Sequence, residues 1–479
     1  MTPPTTALIA RLSLSLWLLL VSLSAAAQPV FRAGAATSNI TPPLGEPIVG
    51  NFVTPPAERV HDELHARCLV LDDGKARLAI VVCDNVGVSS EVFDRAKRLV
   101  VESTKIPLDH MLMSSTHTHS ATSARSINSV NPDAELNDYQ TFVARRIADG
   151  VRRAVANLAP AQIGWGSADV PTQVFNRRYH MKPGTELLNP LGGTDQVKMN
   201  PGIANPNVLK PAGPTDPQVS FITVKSTDGR PIALLANYSL HYVGGVPTGD
   251  VSADYFAAFA DKVQQKLNAD RLDPPFVGIM TNGTSGDVNN VDVLGPKRGK
   301  QKPYEQTDKV ATEIADAVIK AHADVKFHDH VPLRAATREL TLKVRKPTPE
   351  MVDRAKRILS GEITPPGTLN EPYARRTLQL AESPDEVTVP LQAIAIGDLG
   401  IAAIPFEVFT ATGLEIKAKS PLKPAFTISL ANGSYGYLPT PEQHALGGYE
   451  TWLGTNRVEV EASTKITAAI LDLLARLKQ

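Results

Sequence analysis

One order of elements occurs three times in the sequence, and it constrains the fold more than any other feature. Two runs with alternating apolar residues, joined by a short polar turn, precede a helical stretch and a further apolar run. The first copy reads HARCLVL, DDGK, ARLAIVVCD, SSEVFDRAKRLVVEST and HMLMSSTH, and the others begin at QVSFITVKS and LQAIAI. We predict an α/β (mixed) fold in which mixed β-sheets are flanked by helices, built from three ββαβ-like units.

The three copies align polar side chains at equivalent positions. Asp84, His241 and Glu407 each stand at the end of the second hairpin strand. The segments STHTHS, TSGDVNN and SYGYLPT each follow the last strand of their copy. Because α/β proteins place binding residues at the carboxyl ends of strands and in the following loops, we expect these clusters to converge on one site.

The histidines of STHTHS are candidate metal ligands. His117 and His119 would project from the same face of a strand, and imidazole is a common zinc ligand. By spacing alone both would bind the metal, with His241 and Glu407 nearby. A carboxylate buried after an apolar strand is costly without a partner or a cation, which supports Glu407. A second His-x-His segment, at 328–330, lacks such neighbours, and we predict a solvated turn there.

The N-terminus has the pattern of an export signal. Arg11 is followed by the apolar run LSLSLWLLLVSL and by SAAAQ, which resembles a signal-peptidase site. We predict a signal peptide over residues 1–27, a single domain over 28–479, and a periplasmic or secreted protein. A membrane anchor is the alternative, but about a dozen apolar residues fall short of the roughly 20 that span a bilayer.

Export would permit a disulfide between Cys68 and Cys83. With the hairpin turn at DDGK, Cys83 would lie opposite Leu64, about 13 Å from Cys68 at strand rise. A disulfide needs Cα atoms within about 7 Å, so we predict two buried thiols instead.

Charge and composition limit the partners. The 49 basic residues balance the 49 acidic ones, so no net field favours nucleic acid or an anionic membrane surface. We expect a small-molecule or lipid-like substrate, no nucleic acid and no stable membrane span, while the sequence predicts no oligomeric state. The Pro- and Gly-rich residues 182–218 suggest a loop over a site or partial disorder, and residues 348–386 a helical insertion.

Six segments, in order, resemble the neutral ceramidases, which are zinc amidases that cleave the fatty-acyl amide of ceramide. They are NITPPLG, VHDELHARCLVLDDG, STHTHS, GDVNN, PFE and YLPTPEQHALGGYE. The resemblance extends from about Gly34 to Gln479 and implies a ceramidase-like catalytic domain, without the family's C-terminal immunoglobulin-like domain.

The resemblance also implies roles for individual residues. It assigns the zinc ligands to His117, His241, Glu407 and Tyr437. His119 would lie beside the metal and move protons or steady the oxyanion. The substrate would contact Arg177, in VFNRRYH, and Tyr449. Such a ligand set suits zinc, although iron or manganese could occupy it.

The chain departs from the family at the nucleophile. Asn289 occupies the position of the family's serine, and an amide cannot form an acyl-enzyme. We therefore expect a zinc-activated water to attack, because zinc lowers the pKa of bound water to about 7. His119 or Asp287 would handle the proton, and Tyr437 and Asn289 would donate to the oxyanion. The alternative nucleophiles are the hydroxyls of TSGDV, at Thr284 and Ser285.

Other interpretations stay open at this point. The alternative for His241 is a buried histidine bonded to a carbonyl, and for Tyr437 a packed turn aromatic. For Arg177 it is a surface salt bridge, and for Asp287 a residue that caps its own turn. The chain as a whole is expected to be a secreted zinc hydrolase of amide or ester bonds. Its alternatives are a zinc hydrolase of a polar carbohydrate or cell-wall substrate, and a non-catalytic metal-dependent binding protein.

Overall fold

The computed structural model describes residues 30–50, 53–125, 135–297 and 299–478. The predicted signal peptide, residues 1–27, and its cleavage point lie outside these ranges. Among the helices within them, none combines the length and the apolar character that a bilayer span requires.

The first third of the chain contains β1 Arg32–Asn39, β2 Arg59–Val60, β3 His65–Asp72, β4 Arg77–Cys83, α1 Ser90–Thr104, β5 Met111–Ser115, α2 Asp138–Ala156 and β6 Ala159–Asp169. The middle contains β7 Phe175–Asn176, β8 Arg178–Met181, β9 Val197–Met199, β10 Val208–Pro211, β11 Gln218–Ser226, β12 Pro231–Tyr238, β13 Asp250–Val251, α3 Asp254–Lys266, β14 Val277–Asn282, β15 Val288–Asn289 and α4 Glu305–His322. The last third contains β16 Leu333–Lys343, α5 Pro349–Leu359, α6 Asn370–Glu382, β17 Glu386–Ile396, β18 Leu399–Ile404, β19 Glu407–Val408, α7 Thr410–Lys419, β20 Ala425–Ser429, β21 Tyr437–Leu438, α8 Pro441–Leu446 and α9 Ala462–Lys478.

The three predicted units are present. In each, two strands pair antiparallel, a helix follows, and the last strand pairs parallel with the second: β3, β4, α1 and β5; β11, β12, α3 and β14; β17, β18, α7 and β20. The first two units share an eight-stranded sheet with the order β14-β12-β11-β6-β1-β3-β4-β5. The third forms a four-stranded sheet, β16-β17-β18-β20. The predicted mixed α/β class is confirmed.

The two large sheets face each other across an apolar core. Leu69, Ile80 and Leu235 from the larger sheet meet Ile394 and Phe426 from the smaller one. Helices α1 and α2 cover the outer face of the first unit, α3 and α4 that of the second, and α9 that of the third. The result is a layered arrangement of helices, sheet, sheet and helices, which leaves the strand ends free for loops.

The cysteine register predicted from the hairpin was wrong by two residues. Cys83 lies opposite Ala66, not Leu64. The turn is displaced because Asp73 accepts hydrogen bonds from the amides of Lys75 and Ala76, at 2.8 and 2.6 Å, which places Ala76 in the turn. Cys68 and Cys83 are consequently diagonal neighbours, yet both are buried free thiols as predicted.

Residues 182–218 form an ordered flap. Strands β9 and β10 in this segment pair with β8 on either side, so the interpretation as partial disorder was wrong. The predicted helical insertion is present as α5 and α6. Thr348 caps α5 by accepting a hydrogen bond from the Met351 amide, and Pro349 occupies its first turn.

Candidate metal centre

The ligand candidates reach one small volume from all three units. His117 follows β5 and His241 follows β12, while Glu407 begins β19 after the third hairpin. Strand β19 pairs with β21, which places Tyr437 opposite Glu407. His241 and Glu407 therefore converge as the aligned repeats predicted, whereas Asp84, at the equivalent position of the first unit, pairs with Arg67 instead.

The distances between these side chains are those of a preformed cluster. The Nε2 atom of His117 lies 3.1 Å from Nε2 of His119 and 3.2 Å from Oε2 of Glu407. The same carboxylate oxygen lies 3.9 Å from Nε2 of His241. Ligand atoms of the three histidines all lie within 4.8 Å of one another, so together they could hold a metal ion.

Backbone carbonyls orient two of the imidazoles. Nδ1 of His117 lies 2.5 Å from the Val86 oxygen, and Nδ1 of His241 lies 3.1 Å from the Ser285 oxygen. Because a carbonyl only accepts, each Nδ1 carries the proton and each Nε2 presents a lone pair to the cluster. Metal-binding histidines are usually held in this way.

Three atoms of the cluster are buried and have no hydrogen-bond partner among the described residues: Nδ1 of His119, Nε2 of His241 and Oε2 of Glu407. A buried polar atom without a partner costs free energy unless a bound group satisfies it. The donor set of imidazoles and a carboxylate is one that zinc accepts. The residues therefore fit a metal ion. The interpretation of His241 as a merely structural histidine explains its Nδ1 bond but leaves Nε2 unsatisfied.

The protonation states also suit metal binding. Burial lowers the pKa of His119 and His241 well below the ordinary value, and the nearby guanidinium of Arg177 lowers both pKa values further. Burial raises the pKa of Glu407, but His117, a hydrogen bond from Tyr437 and the charge of Arg177 outweigh it, so this pKa is lowered. Neutral imidazoles and an ionised carboxylate are the forms that bind a metal.

His119 has a packed environment of its own. Its ring stacks on Tyr242, with centroids 3.8 Å apart and planes 14° from parallel. On Gly50, which has a φ of +120°, an added Cβ would come within 2.6 Å of the His119 ring. The backbone of His117 is strained, since its φ of +71° lies in the left-handed region that a side chain other than glycine seldom adopts.

Tyr437, Tyr449 and Arg177 form one wall of the centre. The two tyrosine rings meet edge to face, 5.9 Å apart, and the Arg177 guanidinium lies 5.3 Å from the Tyr437 ring centroid. The salt bridge of Arg177 is internal, because it joins the fully buried Glu450 at 2.8 Å. The interpretation of Arg177 as part of a surface salt bridge was therefore wrong.

The TSGDVNN loop places Asp287 in a tight set of hydrogen bonds. One carboxylate oxygen accepts from the amide and hydroxyl of Thr410, at 2.8 and 2.9 Å, and the other from Asn176 at 2.9 Å. These bonds tie the loop to α7 and to β7. The carboxylate therefore bonds to neighbouring elements in these three contacts and does not cap its own turn, which differs from the turn-capping alternative.

Asn289 is largely buried, and both ends of its side-chain amide are in use. Its Nδ2 donates to Asn200 of the flap at 2.6 Å, and its Oδ1 accepts from the Val291 amide at 3.0 Å. Ser285 donates to Asn282 at 2.7 Å and lies 3.4 Å from Nδ1 of His241. That hydroxyl is thus on the side of the imidazole away from Nε2.

Several contributors to the site had no signal in a single sequence. Val86 and Ser285 act through backbone oxygens, and any residue type would supply them. Glu450 follows the tyrosine singled out in GGYE, but its pairing with Arg177 required the fold to be known. The second His-x-His segment is, as predicted, largely solvated: His328 and Asp329 are exposed.

Solved structures of ceramidases have a fold similar to that of this chain. No protein-family model matches the chain. The neutral ceramidase from Pseudomonas aeruginosa is similar in structure, with a TM-score of 0.70, 15% sequence identity, and coverage of 94% of this chain and 74% of that one. A ceramidase complexed with C2 gives a TM-score of 0.68 and 16% identity, with coverage of 94% and 75%. The chain therefore has a neutral-ceramidase-like mixed α/β fold, with three buried histidines that could hold a metal ion.

Proposed function

We propose that the protein is a zinc-dependent hydrolase of amide or ester bonds, in which water replaces a serine nucleophile. The observation that carries the proposal is the pair of buried, unpartnered atoms, Nε2 of His241 and Oε2 of Glu407, beside Nε2 of His117. The fold similarity to ceramidases supports a hydrolase, and it makes an acyl-chain amide or ester the first substrate class to test.

His117, His241, Glu407 and Tyr437 would hold the ion. Bound zinc would supply Lewis acidity and lower the pKa of a coordinated water to about 7. His119 lies within 3.1 Å of His117, and its lowered pKa leaves an imidazole that can accept a proton at neutral pH. We assign His119 as the proton acceptor in this reaction.

Arg177, Tyr449 and Asn289 would orient the substrate. Arg177 has a buried guanidinium with an unpartnered Nη2, which can donate to a carbonyl or to a developing oxyanion. The Asn289 amide retains a second N–H besides the one given to Asn200. Asp287, whose carboxylate is fully engaged, is assigned to holding the loop rather than to proton transfer.

Asn289 also favours a second candidate function, a metal-dependent binding protein. Both ends of its amide are hydrogen-bonded, and an amide cannot serve as the nucleophile. A binding protein would hold zinc with the same residues and would turn over no substrate. We further propose that a signal peptide over residues 1–27 directs export, and that the mature chain is one catalytic domain.

The first experiment is to measure the zinc content of the mature protein beside His117→Ala and His241→Ala. Hydrolysis of a panel of acyl amides and esters is followed on the same samples. His328→Ala, which removes an exposed histidine from the other His-x-His segment, is the matched control. We expect one zinc per chain, lost in both site variants together with hydrolysis and retained in the control.

The other outcomes are equally informative. Absence of metal from the wild type after zinc reconstitution would refute the site. Zinc without turnover on any substrate of the panel would favour the binding protein. Full hydrolysis by His117→Ala would place the chemistry elsewhere in the chain.

A further inference from the structure

Glu450 joins two consecutive arginines inside the protein. Its carboxylate is fully buried and accepts from Nε of Arg177 at 2.8 Å and from Nη1 of Arg178 at 2.6 Å. Buried charges persist in folded proteins when they are paired and hydrogen-bonded. Two guanidinium groups and one carboxylate leave one positive charge without a counterpart in this group of three.

The two arginines are used differently. Arg178 is fully buried, and besides Glu450 it donates to the side chain and carbonyl of Gln443 and to the Gly447 carbonyl, at 2.9, 3.2 and 2.6 Å. All three guanidinium nitrogens thus donate to the 443–450 segment. Arg178 is therefore the anchor that fixes the position of Glu450.

The guanidinium of Arg177 contacts both Glu450 and Tyr437, but one of its nitrogens is not used. Its Nε is held by Glu450, whereas its Nη2 is buried without a partner among the described residues. Tyr437 and Glu407, two of the candidate ligands, lie close enough to Arg177 to interact with its charge. The unsatisfied edge of the guanidinium therefore belongs to the environment of the metal centre.

We propose that Glu450 is a positioning residue, which aims the free edge of Arg177 at the substrate group bound beside the metal. This inference rests on the proposed hydrolase function. An arginine side chain has many rotamers, and a carboxylate on Nε restricts them before the substrate binds. Arg178 fixes the position of the Glu450 carboxylate, because it donates to the oxygen that Arg177 does not use.

A double-mutant cycle separates positioning from general stability. Glu450→Gln keeps the shape and one acceptor oxygen but removes the charge, and we expect kcat to fall about 10²-fold while zinc content is unchanged. In an Arg177→Met background, Glu450→Gln should cause little further loss, because its effect passes through Arg177. Glu371→Gln, which breaks an exposed pair with Arg375, is the control and should leave kcat unchanged.

Losses that multiply in the double variant would refute the proposal, since they would indicate a structural role independent of Arg177. So would wild-type kcat in Glu450→Gln. An inactive wild type would instead contradict the proposed hydrolase function, and a measurement without turnover is then needed.

That measurement is solvent exchange of the arginine Nε–H protons by NMR, with the Arg177 signal assigned from Arg177→Lys. We expect slow exchange in the wild type and in Glu371→Gln, and fast exchange in Glu450→Gln. Glu450→Asp, a milder change that keeps the charge but shortens its reach, should also speed exchange. Unchanged protection in both Glu450 variants would overturn the inference.

Discussion

Glu407→Gln should abolish the zinc-dependent stabilisation of the folded protein. In the metal-free chain, burial disfavours the ionised carboxylate, but His117, a hydrogen bond from Tyr437 and the charge of Arg177 outweigh burial and lower its pKa, so a neutral amide should cost some stability. In the metal-bound chain, the same change removes the one charged ligand of the proposed set. We expect the metal-free variant to be somewhat less stable than the wild type and the zinc-dependent stabilisation to be lost.

The magnitude follows from linkage between binding and folding. At a free zinc concentration of 100 times the wild-type Kd, binding stabilises the folded chain by about 2.7 kcal/mol. Changing a residue that merely orients a ligand costs about 10- to 100-fold in affinity, so loss of a ligand should cost at least about 100-fold. At the same zinc concentration, the variant would then gain about 0.4 kcal/mol or less.

The assay is thermal unfolding with and without zinc, with zinc buffered by a chelator. For a chain of 479 residues, 2.7 kcal/mol corresponds to a shift in Tm of about 3 °C. We expect that shift in the wild type and in Glu415→Gln, a change in an exposed pair with Lys419. A full zinc-dependent shift in Glu407→Gln would refute the assignment of this carboxylate as a ligand.

Four further predictions concern single residues. Burial lowers the pKa of Lys97 from 10.5 to about 8, so between pH 8 and 10.5 the folded chain loses this proton while the unfolded chain still holds it. The free energy of unfolding of the wild type should therefore rise by about 3 kcal/mol over this pH range. Lys97→Met should abolish this rise, measured by urea unfolding at both pH values. Asp287→Asn should lower the free energy of unfolding by about 1–3 kcal/mol at unchanged zinc content, because an amide nitrogen would face a donor. Gly50→Ala should cut hydrolysis with the fold retained by circular dichroism, because its Cβ would press on His119. Ser285→Ala should hydrolyse within about tenfold of the wild type, and a loss beyond 10³-fold would indicate a serine nucleophile after all.

The repeat made the fold predictable from sequence because each unit consists of local pairings. A hairpin and the helix after it are specified by alternation and turn residues within about 40 positions. The packing of the two sheets was not predictable, because the sequence does not indicate which apolar residues, such as Leu69 and Ile394, pack against each other. The register error at Cys83 had a local cause, the two amides held by Asp73.

The candidate site divides in the same way. The convergence of His117, His241 and Glu407 was predictable because each of them follows a strand of its own unit. The placement of Glu450 against Arg177 was not, because these residues are far apart in the sequence and meet only after the sheets have packed. Tyr242 beside His119 was equally hidden, since one aromatic ring next to a histidine is common in any core.

Each of the three units supplies one of the side chains His117, His241 and Glu407. Any fragment of the chain that lacks one unit therefore lacks one candidate metal ligand, whatever the stability of the fragment. A chain divided in the α5–α6 insertion would separate His117 and His241 from Glu407. Two such halves, expressed apart and then mixed, would recover full zinc affinity only on reassembly, so zinc titration would report the complementation of the halves.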